Sequence, residues 1–221
     1  MTLDLAVEAG RCLALVGSLR SGAGAVLRTC VGFFKPSGGR LVVLGVEVAS
    51  ATEEELASLR IRCGAVFRQP GLLSNFTVFN NVALPLRFHQ LVEEEAVEPQ
   101  VVQRLSALGL GHCRDRLPSE LTAGEARSVA LARALIHEPE LLLLEDPGAD
   151  LDADLIERWT ALLDAERRAR SLTILMTGHR RGGLLTLADL VAYLHDGRVE
   201  QMGTPAELLG TAEGAIRAYL E

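Results

Sequence analysis

The chain has 221 residues, of which 48% are hydrophobic and 23% charged, enough apolar material for a buried core and too much for a disordered chain. Its 29 acidic residues outnumber 22 basic ones, and the resulting formal charge of −7 argues against nucleic acid as a partner, because phosphate recognition needs a basic face. One basic residue is a lysine, Lys35, and all the others are arginines.

No apolar run approaches the ~20 residues of a membrane span. The opening stretch MTLDLAVEAGR is acidic where a secretory signal would be basic, so a soluble cytoplasmic chain is expected. The four cysteines, Cys12, Cys30, Cys63 and Cys113, lack metal-site spacing and read as buried thiols.

In chain order, alternation over Leu3 to Val7 predicts an edge strand, and the apolar run from Arg11 to Gly17 a buried one. A glycine-rich loop follows, then helical spacing from Ala25 to Phe34, stopped by KPSGG. Leu41 to Val48 predicts a strand pair turning at Gly45. SATEEELASLR carries a helix start, and Cys63 to Phe67 is a short strand. From Thr77 to Ile136 the pattern is mostly helical, with Pro85, Pro99 and Pro118 at edges or kinks and a long helix over Gly124–His137. Strand signals return at Leu141–Leu144, Leu172–Thr177 and Leu190–Leu194, with a helix over Asp152–Arg170 and a hairpin turn at Asp196-Gly197. Strands alternating with helices predict an α/β fold whose mainly parallel sheet is covered on both faces. The expected division is an α/β lobe (1–75 and 138–221) interrupted by a helical subdomain (76–137).

The strand–loop–helix unit at Leu13–Phe34 is where a phosphate-binding loop would sit, its backbone N–H groups curling around phosphate oxygens at a helix N-terminus. Such a loop also needs a lysine for the terminal phosphates and a hydroxyl for magnesium. Here it reads GSLRSGAGA: Gly17 and Gly22 keep the spacing, but Ala23 stands at the lysine position and Gly24 at the hydroxyl position.

LTAGE at Leu121–Glu125, LLLLEDPGADLD at Leu141–Asp152 and TGH ending at His179 follow in the order and spacing of an ABC-transporter ATPase subunit, which the chain resembles over essentially its whole length. More narrowly, GAVFRQPGLLSNFTVFNNVALPLRFH and the tail GTPAELLGTAEGAIRAYLE resemble the Mla-type phospholipid-transport ATPases. The resemblance implies a P-loop NTPase (RecA-like) lobe with an inserted helical subdomain. It implies ATP and magnesium as ligands, and a position peripheral to the inner face of the cell membrane. It also implies a transmembrane permease partner, docked near Arg68 to Val82, and a second ATPase subunit.

Carried onto this sequence, the resemblance gives Gly17, Ser18, Arg20, Ser21, Gly22, Ala23, Gly24 and Ala25 as the nucleotide loop and Arg68 and Gln69 as the Q-loop. Thr122, Gly124 and Glu125 form the signature, facing a nucleotide held by the partner subunit. Glu145 is the weak candidate for magnesium, and Asp146 and His179 are the catalytic candidates. The acids after the Walker B strand are reversed, the signature's middle glycine is Ala123, and the adenine-stacking aromatic would precede Met1. Arg68 is expected either to pair with Glu145 or Asp146, or to supply the missing cation. Together the departures point to weak MgATP binding and to a heterodimer with an intact relative, probed by Gly124→Asp and by the rescue pair Ala23→Lys with Gly24→Ser. The alternative is an active, ATP-hydrolysing subunit driving lipid transport, with Arg20 or Arg68 in place of lysine.

Overall fold

Continuous apolar runs form strands here because both faces of the sheet are covered, so every side chain needs an apolar neighbour. A computed structural model describes residues 3–18, 20–178 and 183–211. In chain order they form β1 (Cys12–Gly17), α1 (Ala23–Cys30), β2 (Val42–Val43), β3 (Val46–Glu47), α2 (Glu53–Ile61) and β4 (Cys63–Val66). Three helices follow: α3 (Val78–Phe88), α4 (Glu94–Ala107) and α5 (Ala123–Leu135). The chain continues through β5 (Leu141–Glu145), α6 (Ala153–Arg170), β6 (Thr173–Gly178), β7 (Leu190–His195), β8 (Arg198–Gly203) and α7 (Pro205–Thr211).

The main sheet runs β4-β5-β6-β1-β7-β8, parallel except for the β7–β8 hairpin. Within β1 and β5, Leu13, Leu15, Leu141 and Leu143 face Leu27, Leu56 and Leu59 of α1 and α2. Their neighbours Ala14, Val16, Leu142 and Leu144 face the other way, into a cluster with Val129, Trp159 and Leu163. Helices α3, α4 and α5 pack on one another in the stretch between β4 and β5.

Several sequence expectations shift. Leu3–Val7 is not a strand: its apolar residues lean on the core beside α1, but no ladder partner pairs its backbone. Alternation reports a half-buried extended chain, not the hydrogen bonds that make a strand. Helix α1 stops at Cys30, before KPSGG, because Gly32 at φ 74° lets the Phe33 N–H bond back to the Arg28 carbonyl at 2.9 Å. Pro85 and Pro99 lie inside α3 and α4. The turn between β2 and β3 places Leu44 at φ 48° and Gly45 at φ 86°, the hand a tight hairpin requires.

The parallel register decides where chemistry can collect. Leu15 and Glu145 both pair with Thr177, so the carboxyl ends of β1, β5 and β6 open on one edge of the sheet. Crevices at that edge are where such sheets bind ligands.

Candidate functional site

The loop after β1 is pinned tightly. Gly17 is buried at the strand end, and a Cβ on it would lie 2.4 Å from the Leu194 carbonyl oxygen. Ser18 and Arg20 are exposed, whereas Ser21 is only 3% exposed and its N–H bonds the Ser18 carbonyl at 2.9 Å. Gly22 caps α1 at φ 90° with no side-chain cap, a left-handed geometry that suits glycine. Its carbonyl accepts from the Ala25 and Val26 N–H groups at 2.9 and 3.2 Å. Ala23, at the lysine position, is 1% exposed and packs in the core with Leu13 and Leu15. The loop thus presents a helix N-terminus toward the crevice without a lysine ammonium.

Across the crevice stands Glu145, at the end of β5 and 9% exposed. Its partner is Arg28, in the last turn of α1. Nη1 donates to Oε1 and Nη2 to Oε2, both at 2.8 Å, a fork on a carboxylate. Nη1 also reaches the Gly24 carbonyl at 3.2 Å, and the guanidinium carbon lies 5.2 Å from the centre of the Phe67 ring. The Arg68 backbone N–H adds a third bond, to Oε2 at 3.0 Å.

The expected pairing of Arg68 is therefore corrected. Its backbone, not its guanidinium, meets Glu145, and its side chain is exposed, as is Gln69 beside it. Arg28 escaped the sequence reading because its position on α1 carries no family motif. The available signal was the pair of changes facing it, Gly24 and Glu145.

Arg127 was missed as well. It is 1% exposed on α5 and donates to the carbonyls of Arg68 at 3.0 Å, Glu145 at 3.1 Å and Asp146 at 2.8 Å. Burial pulls its pKa below the ordinary arginine value, while Asp146, Asp150 and Glu145 pull the other way. It ties the segment after β4 to the end of β5. Asp146 turns out of the strand at φ 49°, half-buried, its N–H bonded to the Thr177 hydroxyl at 3.1 Å. His179 lies outside the described residues.

The signature segment starts α5. The Thr122 hydroxyl accepts from the Glu125 N–H at 3.2 Å, and the Glu125 carboxylate accepts from the Thr122 N–H at 2.8 Å and its hydroxyl at 3.0 Å. The Thr122 hydroxyl, expected to face a nucleotide, is thus engaged in capping, although Thr122 and Ala123 are exposed. Gly124 is buried: a Cβ on it would meet Leu155 at 2.8 Å and the Asp150 carbonyl oxygen at 2.9 Å. A carboxylate at position 124 would point into the protein, so Gly124→Asp would damage packing instead of repelling a phosphate. Glu125 also accepts from His112 at 3.1 Å and Cys113 at 3.3 Å, a grouping the cysteine spacing does not suggest. Hydrogen bonds, led by the Thr122 N–H, hold its pKa down to about 2.

The sequence matches, over residues 1–149, the profile of a family described as ABC transporter. Over 209 residues it is 36% identical to a methionine import ATP-binding protein, MetN 1, of Rhodopseudomonas palustris. Over 214 residues it is 35% identical to the methionine import protein MetN of Bordetella avium. These alignments cover 95% and 96% of this chain but 56% and 58% of the relatives, so the chain spans little more than half their length. In fold it is similar to MJ0796, a bacterial ABC transporter cassette solved as a dimer, with TM-score 0.86 and 25% identity over 91% of this chain and 88% of that one. It is also similar to CbiO1 of Clostridium perfringens, part of the transporter complex CbiONQ, with TM-score 0.81 and 25% identity over 94% and 82% of the two chains.

Together these matches correct the narrower Mla-type likeness: the Rhodopseudomonas and Bordetella relatives are named for methionine import, not lipid transport. ABC cassettes bind ATP with magnesium. The residues of this chain do not fit the ion. Position 24 offers no hydroxyl, and both Glu145 oxygens already accept from Arg28 and Arg68.

Proposed function

The chain belongs to the ABC transporter family, and from that membership we propose that it is an importer's nucleotide-binding subunit with an impaired ATP site and a mainly structural or coupling role. It docks beneath a permease on the cytoplasmic face of the membrane, and it works beside a second ATPase subunit whose loop is intact. Among the described residues no helix is long and apolar enough to cross a membrane, which fits a subunit held there by its partner. The names of its relatives favour an amino-acid cargo of the methionine type over a lipid.

Ala23 carries the reading. A buried methyl stands where a cation would hold the terminal phosphates. A hydrogen bond to a charged group contributes about 1.5–3 kcal/mol, so the missing lysine alone weakens nucleotide about tenfold to a hundredfold. The absent hydroxyl at Gly24 adds to that loss.

For the permease, the site we favour is a cleft of about 320 Å³ between α2 and α3. It is lined by Ile61, Leu84, Pro85 and Phe88, and Phe88 is 75% exposed. The cleft lies on the seam between the proposed α/β lobe (1–75 and 138–221) and helical subdomain (76–137), and we prefer it to the Arg68–Val82 stretch that the family resemblance implies.

Titration of the purified chain with MgATP tests the site. No saturable binding in the low-micromolar range is expected, while co-expression with an intact ATPase subunit and the permease restores turnover to the complex. A low-micromolar isotherm that is lost on Gly22→Val overturns the reading.

A further inference from the structure

We propose that Arg28 is the resident cation of this site, standing in for the metal ion, so that the crevice takes a phosphate ester free of divalent metal. The inference rests on the impaired-site reading above and gives that site a ligand form.

Two departures that look like separate losses in the sequence fit together as one device. Glu145 is one methylene longer than aspartate, and it spans from β5 to α1, where the Arg28 fork meets both of its oxygens at 2.8 Å. Room for that crossing exists because residue 24 is glycine: a Cβ there would stand 2.5 Å from Glu145 Oε1 and 3.2 Å from Arg28 Nη1. The hydroxyl is therefore absent at the point where its carbon would press on the pair. Arg28 is held from three sides, by Glu145, the Gly24 carbonyl and the Phe67 ring.

A divalent ion would have to take Glu145 from a bidentate guanidinium and then sit beside that guanidinium's charge. Like charges in a half-buried crevice repel strongly. The pair is also costly to separate, since Glu145 has a side chain only 11% exposed and would be left uncompensated. The Arg28 side chain is 32% exposed and open to a ligand. Its guanidinium has five N–H donors, more than the bonds to Gly24 and Glu145 use, and from the last turn of α1 it reaches back to Gly24 in the first turn, where the helix N-terminus also favours anions. Arginine binds phosphate oxygens without a metal between.

The test is ATP affinity of the purified chain in excess magnesium and in EDTA, followed by titration or by the shift in melting temperature. Tighter apparent binding in EDTA than in excess magnesium is expected, because excess magnesium draws ATP into its metal complex, which this site does not take. Arg28→Gln should weaken binding in EDTA about tenfold and make what remains depend on magnesium, because Glu145 is released. Arg28→Gln with Glu145→Gln, which leaves no unpaired buried charge, controls for folding and should show no metal dependence. Manganese electron-spin resonance gives an independent readout: the wild-type chain with ATP should retain no bound manganese. Affinity that is equal or higher in magnesium, or stoichiometric manganese retained by the wild type, overturns the inference. No ATP binding in either buffer also overturns it but leaves the impaired-site reading standing; tight MgATP binding overturns both.

Discussion

Gly24→Ser, half of the double substitution that would mimic an intact loop, should weaken the fold instead of repairing the site. The new Cβ would fall 2.5 Å from Glu145 Oε1, well inside van der Waals contact. That oxygen is the tip of a flexible side chain, so steric overlap alone is cheaply relieved. The loss comes from what holds the tip: if Glu145 swings away, at least one bond to Arg28 is broken, about 1.5–3 kcal/mol for a charged hydrogen bond. Replacing glycine by serine within α1 returns roughly 0.5 kcal/mol of helix propensity. The net expectation is a destabilisation of about 1–2.5 kcal/mol. For a domain of this size that lowers the melting temperature by roughly 2–10 °C. Urea unfolding of Gly24→Ser, Arg28→Ala and the double variant measures it. Once Arg28 is gone the serine should cost nothing and keep its roughly 0.5 kcal/mol gain in helix propensity, because Glu145 is then free to move. If Gly24→Ser is neutral or stabilising in the wild-type background, helix propensity is acting alone and the Arg28–Glu145 fork is not held in solution. The pair Ala23→Lys with Gly24→Ser would fail on the same ground, with the added strain of a long cation on a buried methyl site.

Arg127→Met should destabilise by about 3 kcal/mol in urea unfolding, because the Arg68, Glu145 and Asp146 carbonyls lose their shared donor; a loss under 1 kcal/mol would show that water replaces it. Glu125 has its folded pKa lowered from 4.5 to about 2, so its contribution is fully present above about 4.5 and fades as the pH falls toward 2. Stability of wild type minus Glu125→Gln should therefore be positive near neutrality and vanish near pH 2, and a difference that grows on acidification contradicts the capping role. Burial pushes the Cys12 and Cys63 thiols up to about 12 and Cys30 and Cys113 to about 11, so none should react with a disulfide reagent at pH 8 until the chain unfolds. Trp159, the chain's one tryptophan, is fully buried with its indole N–H on the Ser128 hydroxyl at 2.9 Å; its emission should be blue-shifted and shift to the red only in the main unfolding transition.

Local patterns settled much of this fold. The capping boxes at Thr52 and Thr122 start helices where the sequence placed them, since a cap involves residues three apart and needs no distant partner. The apolar runs at Cys12–Gly17 and Leu141–Glu145 form strands buried on both faces, because only a doubly covered sheet accommodates every side chain of such a run. Glycine spacing located the loop, and the missing lysine was legible as a single letter. What was not legible depended on residues far apart in the chain. Leu3–Val7 had a strand's alternation but no ladder partner, and pairing is a property of two segments. Arg28 and Glu145 are 117 positions apart, so their meeting depends on the β1–β6–β5 register, which brings α1 beside the end of β5. Gly124 is only a glycine in the sequence, and its inward aim follows from where Leu155 and Asp150 lie against α5. Sequence determined which chemistry this chain lacks; the tertiary structure decided what fills the space, because a charge in a half-buried crevice must find a partner among whatever the fold brings near.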